Sequence, residues 1–591
     1  MLVITSYKKE EENYNKNVFH FRLLESKDNR IFFTLMFYLS NMKKILIAAL
    51  FFSSIAIGQT RQDTIQLLRT TAGIYHLNFT ESELDSLVGN IRSYTNTFNR
   101  MHQTMPANDL LYPFAYNPAP IGFTIPTVQQ KINWTIPANV SLPKNRNELA
   151  FYSIPQLASL IKSKKITSVE LTTFFINRIK HWDDSLKSVI TLTEDLAMKE
   201  ASQADADLKK GIYRGPLHGI PYGLKDLFAV KGYKTTWGTT PYKDQVIDDN
   251  AYVYEQLRKA GAVLVAKLSL GALAYNDLWF GGRTNNPWNL RQGSSGSSAG
   301  SAAATVAGLL PFAIGTETLG SIISPSTRTG ATGLRPTFGT VSRSGAMVLC
   351  WSLDKAGPIC RSAEDAAIVY AAIKGTDGKD PSAVDHAFNY NDKKDIRKLK
   401  VAYAENYFRR LNKDALEWKA LDDFKSLGAN IVPVTFPDSG IYNVNLVGII
   451  LDAESAAAFD ELTRSNRDDL IERQDRGFWP NTWRAARYIP AVEYINANRY
   501  RSTLNQKVQD FFKDYDVVIV PTFAGAQLSI TNLTGNPALC FPIGFTASGN
   551  PHSITLLGKL YDEASILQYG KAYQDKTQHN KKQPGIFAVK Q

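Results

Sequence analysis

An α/β fold is predicted from three observations. Short apolar runs alternate with amphipathic helical segments along most of the chain. Of the 591 residues 44% are hydrophobic and 21% charged, which suits a soluble folded enzyme and excludes a disordered chain, a collagen or a multi-span membrane protein. No internal repeat or long low-complexity segment interrupts the alternation.

Taken in order, the chain divides into an N-terminal extension with a signal peptide (1–58), an accessory region (59–148) and a main domain (149–591). Met42-Lys43-Lys44, the apolar residues 45–52 and the small residues up to Gly58 have the three parts of a secretory signal peptide that starts at Met42. The apolar part is short for a membrane span and polar residues 59–63 follow at once. Cleavage near Gly58, export to the periplasm or beyond, and no stable membrane insertion are therefore expected. Residues 1–41 fit a start codon placed too far upstream, and an uncleaved anchor using the apolar stretch 31–39 is the alternative. The accessory region is polar and irregular except for a helix opening at Thr80, whose Thr-x-x-Glu spacing to Glu83 is a capping box.

The main domain opens on two helices. Ile154, Leu157, Leu160 and Ile161 share one helical face, and Val169, Leu171, Phe174, Phe175 and Ile179 another, behind the cap Thr167-Ser168. Strands are predicted at 189–192, 220–224, 263–266, 311–314, 400–403, 430–434 and 517–520, with helices at 196–208 and 251–260 between the earlier ones.

Lys and Arg total 67 against 55 for Asp and Glu, a net +12 spread along the chain without a basic block or nucleic-acid motif, so no nucleic-acid partner is expected. Cys350, Cys360 and Cys540 are odd in number and lack zinc-ligand spacing, and read as buried small hydrophobes.

Three segments carry chemistry. Gly293-Ser294-Ser295-Gly296-Ser297-Ser298-Ala299-Gly300-Ser301 feeds a small-residue helix able to lie close to a sheet, and lacks the Lys-Ser/Thr pair of a phosphate-binding loop. Gly315-Thr316-Glu317-Thr318-Leu319-Gly320-Ser321-Ile322 begins where an apolar strand ends. It suits a nucleophilic serine beside consecutive backbone amides, or else an ordinary strand-exit turn. In His218-Gly219-Ile220-Pro221-Tyr222-Gly223-Leu224-Lys225-Asp226 a lysine follows an apolar strand, where desolvation lowers its pKa toward use as a base; a salt-bridge role is the alternative.

Order and spacing of these segments resemble the amidase signature family, with further matches at Asn286-Pro287-Trp288-Asn289, Gly333-Leu334-Arg335-Pro336-Thr337, Asp354-Lys355-Ala356-Gly357-Pro358 and Gly535-Asn536-Pro537-Ala538. The resemblance spans roughly 149–574. It implies a large mixed β-sheet covered by helices on both faces and a Ser-Ser-Lys triad. By position, Ser321 is similar to the nucleophile, Ser297, 24 residues earlier, to the bridging serine behind a cis peptide bond, and Lys225 to the base. The backbone N–H groups of Thr318, Leu319, Gly320 and Ser321 would form the oxyanion hole. Neither a metal nor an organic cofactor is implied; the substrate would be a small-molecule or peptide amide, and a homodimer is compatible with the family. The form Gly-Thr-Glu-Thr-x-Gly-Ser-Ile resembles the peptide-amidase branch more than the tRNA amidotransferase branch. Two departures bear on substrate choice: Leu319 stands where many members have glycine, and Ile323 where many have arginine.

Three rival readings stand beside this one. Gly296-Ser297-Ser298-Ala299-Gly300 matches the G-x-S-x-G nucleophile elbow of an α/β-hydrolase, with Ser298 as nucleophile and Asp385 with His386 or His552 downstream, but it lacks a preceding strand in the sequence. The others are a non-catalytic binding protein that keeps the fold, and an amidotransferase A-type subunit. Trp279 and Trp351 read as core, or as lining for an acyl pocket.

Overall fold

The computed structural model describes residues 60–103, 108, 114–438 and 445–589, so the expected signal peptide and residues 1–41 lie outside the described residues. The chain divides into two units between Pro106 and Ala107. In the first, helices Arg61–Ile74 and Glu81–His102 each open on a capping box, Thr60 with Asp63 and Thr80 with Glu83. They pack through Ile65, Leu84 and Val88, and Arg61 grips Asp85 with two nitrogens at 2.6 and 2.8 Å.

The larger unit is built on an eleven-stranded sheet in the order β1 (Val189–Leu192), β3 (Val263–Leu268), β2 (Pro221–Lys225), β8 (Phe312–Glu317), β10 (Lys355–Cys360), β9 (Thr332–Arg335), β14 (Ala538–Phe545), β15 (Pro551–Gly558), β13 (Val517–Pro521), β11 (Val401–Ala404), β12 (Ile431–Val434). The sheet is mixed: β2 runs parallel to β3 and β8, β11 runs parallel to β12 and β13, and the other pairs are antiparallel. Two ribbons, β4 (Leu278–Trp279) with β5 (Gly282–Arg283) and β6 (Asn285–Asn286) with β7 (Asn289–Gly293), lie outside it. Successive strand residues face opposite sides. Every residue of β2, β3, β10 and β13 is buried, so both faces of the sheet are covered. Helix Ala299–Val306 packs on β2, β3, β8 and β10, and Glu563–Thr577 on β14 and β15. Among the described residues no helix is long and apolar enough to cross a membrane.

The seven expected strands are present, each shifted or lengthened by at most a few residues. Strands β9, β10, β14 and β15 are not among the predicted ones: β9, β10 and β14 carry glycine or proline within the strand, and β15 mixes His552, Ser553 and Thr555 with its apolar residues. In β10 the glycine is a packing requirement: a Cβ on Gly357 would stand 2.2 Å from the Leu334 carbonyl oxygen of the neighbouring β9.

Residues 114–145 form a strap without regular structure on this larger unit, and Asn108 also lies on it. The Ala387 N–H donates to the Pro126 carbonyl, the Gln129 side chain pairs with both backbone groups of Phe388, and Trp134 stacks on Tyr390. This part of the expected accessory region thus groups with the larger unit.

Candidate active site

Parallel pairing of β2 with β8 brings their C-terminal ends to one edge of the sheet, Lys225 at the end of β2 and Glu317 at the end of β8. The serine-rich loop enters helix Ala299–Val306 above them, and its Gly296–Ser297 peptide bond is cis, as the family resemblance implies.

Lys225 is fully buried and makes no ion pair among the described residues, because adjacent Asp226 is taken by Lys267 at 2.6 Å. Its Nζ lies 2.8 Å from Ser297 Oγ, 2.8 Å from Thr316 Oγ1 and 3.2 Å from Ser298 Oγ. Burial pulls the amine down to about 7, against the opposing pull of Asp354 and Glu317. A neutral amine offers two N–H donors and one lone pair. Ser298 Oγ donates its proton to the Thr316 carbonyl at 3.0 Å and accepts from the Thr316 N–H at 3.1 Å, so toward Lys225 it acts as an acceptor. With the second N–H on Thr316 Oγ1, the lone pair is left for the Ser297 hydroxyl.

Ser298 is therefore a fixed part of the framework, its proton committed and its side chain fully buried. The preceding strand, β7, belongs to a two-stranded ribbon. His386 bonds to Tyr370 and His552 to Glu417, both at 2.8 Å, so neither attends Ser298. The nucleophile-elbow reading is not supported by this geometry.

Ser321 keeps 8% of its surface exposed and its hydroxyl makes no hydrogen bond among the described residues, while its carbonyl accepts the Ser298 N–H at 3.1 Å. The N–H groups of residues 318–321 donate to no group among the described residues. Gly320, at φ +82°, supplies the left-handed turn within this row. Behind it, the Glu317 carboxylate accepts the N–H groups of Ile322 and Ile323, both at 2.9 Å, and is itself held by Arg335 and Asn532 at 2.9 Å. Burial alone would push the Glu317 carboxyl up; Arg335 and the Ile323 N–H outweigh it and hold the group below its ordinary value. In front, Thr318 Oγ1 donates to Asp354 at 2.6 Å. A cavity beside the site is lined by Phe228, Ala274, Thr316, Thr318 and Met347 among others, with neither Trp279 nor Trp351 in its wall. Trp279 is 8% exposed, its indole N–H on the Lys187 carbonyl at 3.2 Å.

Sequence reasoning named Lys225, Ser297 and Ser321 and the row 318–321, and the fold gathers them at one edge. It did not assign Thr316, Glu317 or Asp354, all inside quoted motifs, because a motif shows which residues recur together and not which polar atoms meet. Among the described residues there is no cluster of metal-ligating side chains.

A desolvated lysine and two serines beside a row of unpaired amides, set on a mixed α/β sheet, define an acyl-transfer hydrolase framework. The sequence model of the Amidase family matches residues 170–531, and the chain belongs to that family. The A-type component of the glutamyl-tRNA(Gln) amidotransferase of Acinetobacter baumannii is 33% identical over 485 residues, 73% of this chain and 98% of the relative. The native peptide amidase of Stenotrophomonas maltophilia superposes with a TM-score of 0.67 at 28% identity, covering 75% of this chain and all of that one. An amidase family protein of Bacillus anthracis gives 0.65 at 25% identity, covering 74% and 92%. The protein is an enzyme of the amidohydrolase class with the amidase signature fold.

Proposed function

We propose that the protein is an exported amidase that hydrolyses a carboxylic amide to the acid and ammonia or an amine through Lys225, Ser297 and Ser321. The observation that carries this reading is the buried Lys225 amine, lowered to about 7 and 2.8 Å from Ser297 Oγ. Neutral Lys225 takes the Ser297 proton, Ser297 takes that of Ser321, and Ser321 Oγ attacks the amide carbon. The tetrahedral oxyanion is received by the unpaired N–H groups of Thr318, Leu319, Gly320 and Ser321. Run in reverse, the relay protonates the leaving nitrogen; water then enters by the same route and frees the acid.

Export rests on the sequence of residues 42–58. Likeness to the peptide amidase favours a peptide or small-molecule amide as substrate. An A-type amidotransferase component is the second reading, favoured by the 33% identity to that relative. Ammonia release from a peptide amide by the protein alone, with neither tRNA nor partner proteins, separates the two.

The pH profile follows from the lysine. Protonated Lys225 has no lone pair, so kcat/KM is expected to rise tenfold per pH unit below about 7 and to level above it. Lys355, buried on β10 and also lowered to about 7 by burial and by Arg335, is a second group in this range, and Lys355→Met is expected to keep the limb. A profile flat from about pH 5.5 to 8.5 would count against Lys225 as the base.

A further inference from the structure

Asn108 and the strap 114–145 precede the segment that matches the Amidase family, yet Asn108 and Tyr116 hold the loop that in turn holds the first residue of the amide row. We infer that Asn108 and Tyr116 are positioning residues for the oxyanion-binding amides of residues 318–321, acting through the loop 347–354. The inference rests on the amidase reading and names two residues outside the matched segment.

Asn108 treats Val348 as a neighbouring strand would. Its Oδ1 accepts the Val348 N–H at 3.0 Å, and its Nδ2 donates to the Val348 carbonyl at 3.2 Å and to the Ala458 carbonyl at 3.0 Å, at the end of helix Leu446–Ala458. Tyr116 acts four residues further along the loop. Its ring lies 3.4 Å over the buried Arg501 guanidinium, and its hydroxyl donates to the Leu533 carbonyl at 2.8 Å, which also receives Arg501 Nε–H at 2.6 Å. The other two guanidinium nitrogens donate to Ser352 Oγ at 2.9 Å and to the Ser352 carbonyl at 2.7 Å, and Ser352 Oγ donates to Glu454 at 2.7 Å. A planar cation held on three acceptors and covered by an aromatic face has one orientation.

The loop pinned at Val348 and Ser352 ends on Asp354. One Asp354 carboxylate oxygen accepts the N–H groups of Leu349 and Cys350 at 2.8 and 3.0 Å; the other accepts Thr318 Oγ1–H at 2.6 Å. Each step from the strap to Thr318 is thus a hydrogen bond, a ring contact or a short stretch of backbone. Thr318 opens the row of unpaired amides, and oxyanion donors act only within about 2.7–3.1 Å of the developing charge. A small displacement there lowers the rate without changing how the neutral amide is held.

The experiment uses the full chain with Asn108→Ala, Tyr116→Ala and the conservative Tyr116→Phe, which keeps the ring over Arg501. Readouts are kcat and KM on an anilide reporter, Ki for phenylboronic acid, Ki for benzoate and the melting temperature. Phenylboronic acid forms a tetrahedral serine adduct that places an oxygen among the amides, and benzoate is a planar ground-state ligand. Both alanine variants are expected to lose about tenfold in kcat, below the roughly 100-fold of a full ångström's misplacement. The boronate Ki is expected to rise by a similar factor, KM and the benzoate Ki to stay within about twofold, and Tyr116→Phe to recover most of the loss. Unchanged kcat and boronate binding, or equal losses for boronate and benzoate, would overturn the inference while the amidase reading stands. A wild-type protein that hydrolyses no amide would overturn the amidase reading and this inference with it.

Discussion

Ser321→Ala is expected to end amide hydrolysis, lowering kcat by about 10⁵-fold or more while the fold is kept. The substitution removes one atom, and that atom makes no hydrogen bond among the described residues, so no buried partner is left unsatisfied. The Ser321 carbonyl still receives the Ser298 N–H, and the loop is still held by Glu317 and Asp354, so its course is unaffected. Ammonia release from a peptide amide, with the melting temperature as the fold control, checks this. Turnover near the wild-type level would remove Ser321 from the chemistry and return attention to Ser298 as the nucleophile.

Lys225→Met is the second large effect. A positioned general base contributes about 10²–10⁴-fold, and this amine starts both proton transfers of the relay, so a loss near the upper end of that range is expected. Stability should move the other way. Because the pKa of Lys225 is lowered in the folded state, the unfolded chain binds more protons than the folded one between about 7 and 10.5, and stability rises with pH across that window. At pH 7 and below, burying this lysine therefore costs stability, which methionine does not. Ser298 and the Thr316 backbone still satisfy one another. The variant is expected to be inactive and to melt at or above the wild-type temperature at pH 7. An inactive variant that melts well below the wild type would mean that Lys225 chiefly supports the fold.

What could be read in the sequence follows from how local each signal is. Thr80 and Glu83 sit three residues apart and their capping box forms as read, and the apolar run 263–266 becomes part of the buried strand Val263–Leu268. Local signals fail where packing sets composition. At Gly357 the close backbone of β9 demands a glycine that sequence patterning treats as a break, which conceals β10. The triad positions were legible through family resemblance, since a lysine, two serines and their spacing are linear facts. The hydrogen-bond directions that leave Lys225 its lone pair were not, because they turn on Thr316 offering a carbonyl, an N–H and a hydroxyl at once. Asn108 was beyond reach, for it meets Val348 across 240 residues of chain.

The central claim is that Ser321 is a nucleophile activated through Lys225. Intact-mass spectrometry after incubation with a fluorophosphonate, followed by peptide mapping, tests it most directly. The account predicts one adduct, on Ser321, absent from Ser321→Ala and strongly slowed in Lys225→Met. An adduct on Ser298, or labelling of Ser321 at an undiminished rate in Lys225→Met, would contradict it.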